Sequence, residues 1–273
     1  MPGWRAAWGL ALCLLFLLPG CSTEQVRNPS FDLSVRDAKA ALKQMKRQPV
    51  TLDRPVVVIG GWSDVVGVGP AYIAEHLKKA TGDQRIIFVP GGIGVTFNDC
   101  RDRVLDKLEA RFPSDDPEWT TEVDVVGFSM GGVTARYAAS EPQGDNPPKR
   151  LRIARLYTIA TPHRGADMAD TDTPIDQLSR DMHPDSDFIR RLNAQRSLET
   201  YRIISYTCLN DGVVGSANTA PPNVTPWWLP AEPFTRPHGG AYHDPRFIAD
   251  IARRLRGEEA YTTEPVEALP EGT

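Results

Sequence analysis

Serine, aspartate and histidine become a nucleophile, an orienting acid and a base only when a fold brings them together, so the informative positions are those where strands give way to turns. The run Val123-Asp124-Val125-Val126-Gly127-Phe128-Ser129-Met130-Gly131-Gly132 is β-prone and apolar, and it breaks into G-x-S-x-G. A strand that turns abruptly into a helix strains the serine backbone and leaves no room beside it, which gives Gly127 and Gly131 a steric purpose. The turn would lift the Ser129 hydroxyl above a sheet edge, at the N-terminus of a helix over 131–139. Free backbone N–H groups and the positive helix end there suit a developing oxyanion. The chemistry implied is attack on an electrophilic carbon; as an isolated string, G-x-S-x-G is also an ordinary turn.

The serine needs a base to take its proton and a carboxylate to orient that base, and in doubly wound hydrolases these follow in the chain order Ser, Asp or Glu, His. Asp211 follows the strand expected over 201–207, in Cys208-Leu209-Asn210-Asp211-Gly212, where a short turn would bring its carboxylate to the edge that carries Ser129. Asp-Gly is also the commonest kind of simple turn. Two histidines come later. His243 precedes Asp244-Pro245, which reads as the N-cap and first residue of a helix over 245–255 and commits His243 to the helix entrance. His238 lies in a Gly-flanked loop and is the preferred base. His163 precedes the acid in a Pro-flanked turn and is a weaker rival, and His76 and His183 fall in surface helix or cap. An oxyanion would be held by the N–H of Met130 and by that of Trp62, after the strand Val56-Val57-Val58-Ile59 and Gly60-Gly61.

Positioning these groups requires alternating strands and helices. Strands are expected over 55–60, 85–89, 123–126, 152–159 and 201–207, and helices over 35–48, 71–80, 100–112, 131–139 and 245–255. This is the pattern of a doubly wound, mostly parallel α/β sheet with helices on both faces. The domain so defined covers 34–256. Residues 164–199 break the rhythm, charged and weakly helical, as a small cap over the sheet edge. Residues 212–236 carry five prolines and Trp227-Trp228. They read as a long irregular loop whose indoles line an acyl pocket, rest at a membrane interface or simply pack the loop. The tail over 257–273 is acidic and reads as frayed. A net charge of −4 offers no basic face for nucleic acid. No residue cluster has the spacing of a zinc site, and no cofactor is implied.

The first 20 residues stand apart. Arg5, the apolar run Leu10 to Leu18, and Leu18-Pro19-Gly20-Cys21 resemble a bacterial lipoprotein signal peptide with its lipobox, the apolar run being too short to span a bilayer. The resemblance implies cleavage before Cys21, lipidation of Cys21, a polar tether over 21–33 and anchoring at a membrane. Ser22 is similar to the sorting residue for the outer membrane, whose periplasmic face is the expected location; an uncleaved signal anchor is the alternative. Cys100 and Cys208 then remain in an oxidising compartment, where they could form a disulfide or stay free.

From about Arg54 to Arg256 the chain resembles the α/β-hydrolase superfamily, and within it the bacterial lipases and lipase-like esterases related to GPI inositol-deacylases. The elbow Gly127-Phe128-Ser129-Met130-Gly131-Gly132 carries this, with Thr161-Pro162-His163-Arg164-Gly165, like the T-P-H-x-G signature of lipases, and Asn210-Asp211-Gly212, like their acid turn. The resemblance implies hydrolysis of carboxylic esters, lipid or small-molecule, through an acyl-serine, with Asp211 as acid and His238 as base. Many lipases have His-Gly before the oxyanion residue where this chain has Gly60-Gly61, so the bonds that order that loop are absent. Gly240 stands where calcium-binding lipases carry an aspartate, so no such calcium is expected. Acyl transfer on the same fold, or a non-catalytic envelope-binding lipoprotein on a degenerate one, are the competing readings.

Overall fold

The computed structural model describes residues 26–93, 95–141, 149–170 and 173–273; the signal peptide and Cys21 lie outside the described residues. Six strands, β1 (Val56–Ile59), β2 (Ile86–Val89), β3 (Val123–Phe128), β4 (Ile153–Ile159), β5 (Arg202–Cys208) and β6 (Trp227–Leu229), form one sheet in the order β2-β1-β3-β4-β5-β6. All neighbours are parallel. The central strands are buried on both faces, which is why they read as continuous Val/Ile runs rather than alternating ones. Val56 and Val58 face one core while Val57 and Ile59 face the other. The helices α1 (Val35–Met45), α2 (Val68–Thr81) and α8 (Pro245–Leu255) cover the first face; α3 (Phe97–Arg111) and α4 (Met130–Ala139) cover the second. The doubly wound α/β expectation holds. Winding outward in both directions from β1 and β3 leaves a crevice between them at their carboxyl ends, where such sheets place ligands.

Capping moves the helix starts from where periodicity puts them. Thr96 and Asp99 form a reciprocal capping box that starts α3 at Phe97, three residues before the expected 100. The Asp64 carboxylate accepts from the N–H groups of Val68 and Gly69 and starts α2 at Val68 rather than 71. Pro70 is tolerated because the first helical turn leaves its N–H groups without intrahelical partners.

Four expectations need correction. The long loop over 212–236 contains β6, whose Trp227 and Trp228 are buried in the sheet edge, so of the roles open to them they take the packing one. The tail is docked rather than frayed: Trp228 Nε1 donates to the carbonyls of Glu267 and Ala268, and Asp250 of α8 accepts from the N–H groups of Tyr261 and Thr262. The tether ends at Asn28, whose Nδ2 donates to the Trp228 carbonyl at 2.7 Å, and Phe31 packs with Tyr206 and Phe247 in the core. Finally, Cys100 and Cys208 are separate buried thiols. Cys100 lies on α3 in the cluster beneath the cap, whereas Cys208 ends β5 in the core of the opposite face. Three strands lie between β2, which leads into α3, and β5.

Candidate active site

Three turns at the carboxyl ends of β1, β3 and β5 meet around one hydroxyl. Ser129 takes φ 52° and ψ −130°, a conformation costly for any residue with a side chain, between the end of β3 and the first residue of α4. Its N–H is held by the Ile159 carbonyl at 2.9 Å. The neighbouring glycines are required by close approach: a Cβ on Gly127 would stand 2.4 Å from the Gly132 Cα, and one on Gly131 would stand 2.2 Å from the Ile59 carbonyl oxygen.

Asp211 and His238 come to Ser129 from different loops. The Asp211 carboxylate is buried, and its Oδ1 accepts from the N–H groups of Val213 at 2.9 Å and Val214 at 3.0 Å, which fixes its plane. Its Oδ2 is left for His238 Nδ1 at 2.8 Å, and His238 Nε2 lies 3.0 Å from Ser129 Oγ. An ionised carboxylate only accepts, so Nδ1 carries the proton and the Nε2 lone pair faces the serine hydroxyl. His238 rides not on a flexible loop but on a helical turn, α7 (Pro237–Ala241), with Pro237 at its first position. Its ring packs against Phe128, with centroids 5.5 Å apart.

The β1 loop lies across Ser129. A Cβ on Gly61 would stand 3.3 Å from Ser129 Oγ, so the backbone entering Trp62 borders the hydroxyl directly. Trp62 and Met130 thus bracket Ser129 from the β1 loop and from the α4 N-terminus. No hydrogen bond among the described residues occupies either of their N–H groups.

The other histidines are committed elsewhere. His243 sits at the α8 entrance as expected, its ring 3.8 Å from Tyr242 and 4.4 Å from Tyr72 by centroid, and Asp244 caps α8 through the Arg246 N–H. His163 is wholly buried: Arg136 Nη1 meets Nδ1 at 3.3 Å and Thr158 Oγ1 meets Nε2 at 3.1 Å. Burial, with Arg136 beside it, holds the His163 ring well below the usual histidine range and therefore neutral. His183 pairs with Asp170, and His76 with the Tyr72 carbonyl.

Sequence reading did not anticipate the residues that seat the cap. Its helices α5 (Gln177–Asp181) and α6 (Asp187–Ala194) lay Leu178, Met182, Ile189 and Leu192 on Met130, Val133 and Phe97. The Arg136 guanidinium, fully buried on α4, pairs with Glu199 at 2.7 Å and donates to Asn193 Oδ1 and the Leu192 carbonyl, each at 3.0 Å. A single arginine among the Gly, Ala and Val residues of α4 was the available signal. A buried guanidinium must find such partners.

Known proteins bear on the fold. No protein-family profile matches the chain. A triacylglycerol lipase from Pseudarthrobacter phenanthrenivorans is 45% identical over 51 residues, which is 18% of this chain and 14% of that protein's length. The Bacillus licheniformis lipase BlEst2 superposes in its propeptide form with a TM-score of 0.53 at 15% identity, over 81% of this chain and 54% of that one. The product of the Listeria innocua gene lin2722 superposes at 0.51 and 15% identity, over 76% and 95%. The chain thus spans about half of the BlEst2 propeptide form and a small part of the Pseudarthrobacter lipase. It has the α/β-hydrolase fold.

Proposed function

We propose that this chain is a serine carboxylic-ester hydrolase that works through an acyl-serine on lipid or smaller acyl esters. The observation that carries the proposal is the continuous path from the Val213 and Val214 N–H groups through Asp211 and His238 to Ser129 Oγ. In the proposed reaction His238 Nε2 accepts the Ser129 proton as Oγ bonds to the ester carbonyl carbon. The Trp62 and Met130 N–H groups hold the tetrahedral oxyanion, and Asp211 stabilises the imidazolium. Collapse breaks the bond to the alkoxide leaving group, which takes the proton from His238. Water then repeats the sequence against the acyl-serine and releases the acid. The lipase names among the relatives and structural neighbours support the same class of chemistry.

The test is a protein beginning at Ser22, assayed on p-nitrophenyl esters of increasing chain length. Turnover is expected in the parent protein and its loss in Ser129→Ala; undiminished turnover in that variant overturns the assignment. Loss in His243→Ala but not in His238→Ala would reverse the choice of base. We further propose that Cys21 is lipidated and holds the enzyme at the membrane. Cys21→Ala in the full chain is then expected to move the protein from the membrane to the soluble fraction.

A further inference from the structure

Gly60-Gly61 brings no side chain to order the loop that carries the Trp62 N–H, yet an oxyanion donor works only if it is held in place before the reaction. On one side the loop is stitched to its neighbour after β2: Ser63 N–H donates to the Gly92 carbonyl at 2.9 Å, and Gly91 N–H to the Asp64 carbonyl at 3.0 Å. On the other side the cap reaches it. The Trp62 indole Nε1 donates to Asp176 Oδ2 at 3.0 Å, and the same ring packs against the apolar cluster beneath the cap. Asp176 is itself fixed as the N-cap of α5. Its Oδ1 accepts from Ser179 N–H at 2.8 Å, and Ser179 Oγ accepts from the Asp176 N–H at 2.9 Å. One carboxylate therefore starts a cap helix with one oxygen and grips the proposed oxyanion residue with the other.

We propose that Asp176 is a positioning residue of the reaction: by fixing the Trp62 indole it fixes the Trp62 backbone N–H beside Ser129, so the oxyanion site is complete only while the cap is seated. The proposal rests on the ester-hydrolase reading for its kinetic consequence, though not for the ordering of the loop. A cap that lifts to admit an ester would release this bond, and reseating would restore it.

The test uses the protein beginning at Ser22. Asp176→Ser keeps an N-cap side chain but cannot also reach the indole, and Trp62→Phe removes the donor while keeping an aromatic ring against the cluster beneath the cap. Each is expected to lower kcat on p-nitrophenyl butyrate about 10-fold with KM changed less than about two-fold, because the Trp62 N–H that the contact positions acts in the transition state. The double variant is expected to be no slower than either single one. Hydrogen exchange over 61–64 should quicken in both. Ser186→Ala, which removes the α6 cap on the Ile189 N–H, loosens the cap elsewhere and should leave kcat and loop exchange unchanged. Additive losses, or an equal loss in Ser186→Ala, would overturn the proposal. Turnover surviving Ser129→Ala would defeat the ester reading alone; unchanged exchange in the loop would defeat the latch whatever the turnover.

Discussion

Replacing Asp211 by asparagine tests the proton path without disturbing shape. The acid turn presents two N–H donors, Val213 and Val214, at 2.9 and 3.0 Å to a single carboxylate oxygen. An asparagine must put its own oxygen there, because turning its NH₂ toward two donors would leave them buried and unsatisfied at about 1–3 kcal/mol each. The amide NH₂ is thereby forced toward His238 Nδ1, where the carboxylate Oδ2 now stands at 2.8 Å. Facing a donor, the imidazole moves its proton to Nε2, and the atom 3.0 Å from Ser129 Oγ becomes a donor unable to take the hydroxyl proton.

The expected loss is about 10⁴-fold in kcat, or about 5–6 kcal/mol of transition-state stabilisation, with KM little changed. Initial rates on p-nitrophenyl butyrate at pH 8 would measure it, with thermal unfolding recorded beside them. The unfolding midpoint should hold, since the turn keeps both of its hydrogen bonds. Should Asp211→Asn retain more than a tenth of the activity at an unchanged midpoint, the forced amide orientation, and with it the proton path, is wrong.

Other outcomes follow from buried groups. His163 is neutral when folded, while in the unfolded chain it takes up a proton below about pH 6.5. Stability should therefore fall as pH drops from about 6.5, by up to about 1.4 kcal/mol per unit from this residue, while above that range its protonation contributes no slope. Urea melts between pH 5 and 7 should show a shallower dependence in His163→Gln, and parallel lines for the two proteins would refute this. Burial pushes the Cys100 thiol up to about 11 and the Cys208 thiol up to about 12. The folded protein beginning at Ser22 should thus resist Ellman's reagent and release two thiols on unfolding without reductant; none released would mean a disulfide.

The parts of this fold legible in the sequence are those dictated by local rules. The Val-rich strands announce themselves because a strand buried on both faces has no polar side to show. The α8 entrance was readable because Asp244 and Pro245 do their work within one helical turn. Ser129, Asp211 and His238 were readable for a different reason: Ser129 and Asp211 follow strand ends, His238 opens a short helix, and their chain order suits a doubly wound sheet. What local rules cannot reach was misread. β6 is three residues long and flanked by prolines, and its place depends on pairing with β5. The tail has no periodicity because it docks through backbone groups onto Trp228, about 40 residues back, and onto Ser30, more than 230 residues back.

The same limit explains why the cap was seen only as an interruption. Its attachments join residues far apart in the chain: Trp62 to Asp176, Arg136 to Glu199, and the His163 carbonyl to Asn193 Nδ2. Each, read alone, is an ordinary polar residue. Together they tie the cap to two of the elements that frame Ser129, the loop after β1 and helix α4, and to the turn after β4. The Arg136 attachment is fully buried, and breaking it would strand a charge at several kcal/mol. The Trp62 attachment is a single, partly exposed hydrogen bond worth about 1 kcal/mol. Of these two polar attachments, the one at the α5 end is therefore the weaker. An opening that admits an ester should break the Asp176 bond, beside the group proposed to hold the oxyanion, before the Arg136 pair.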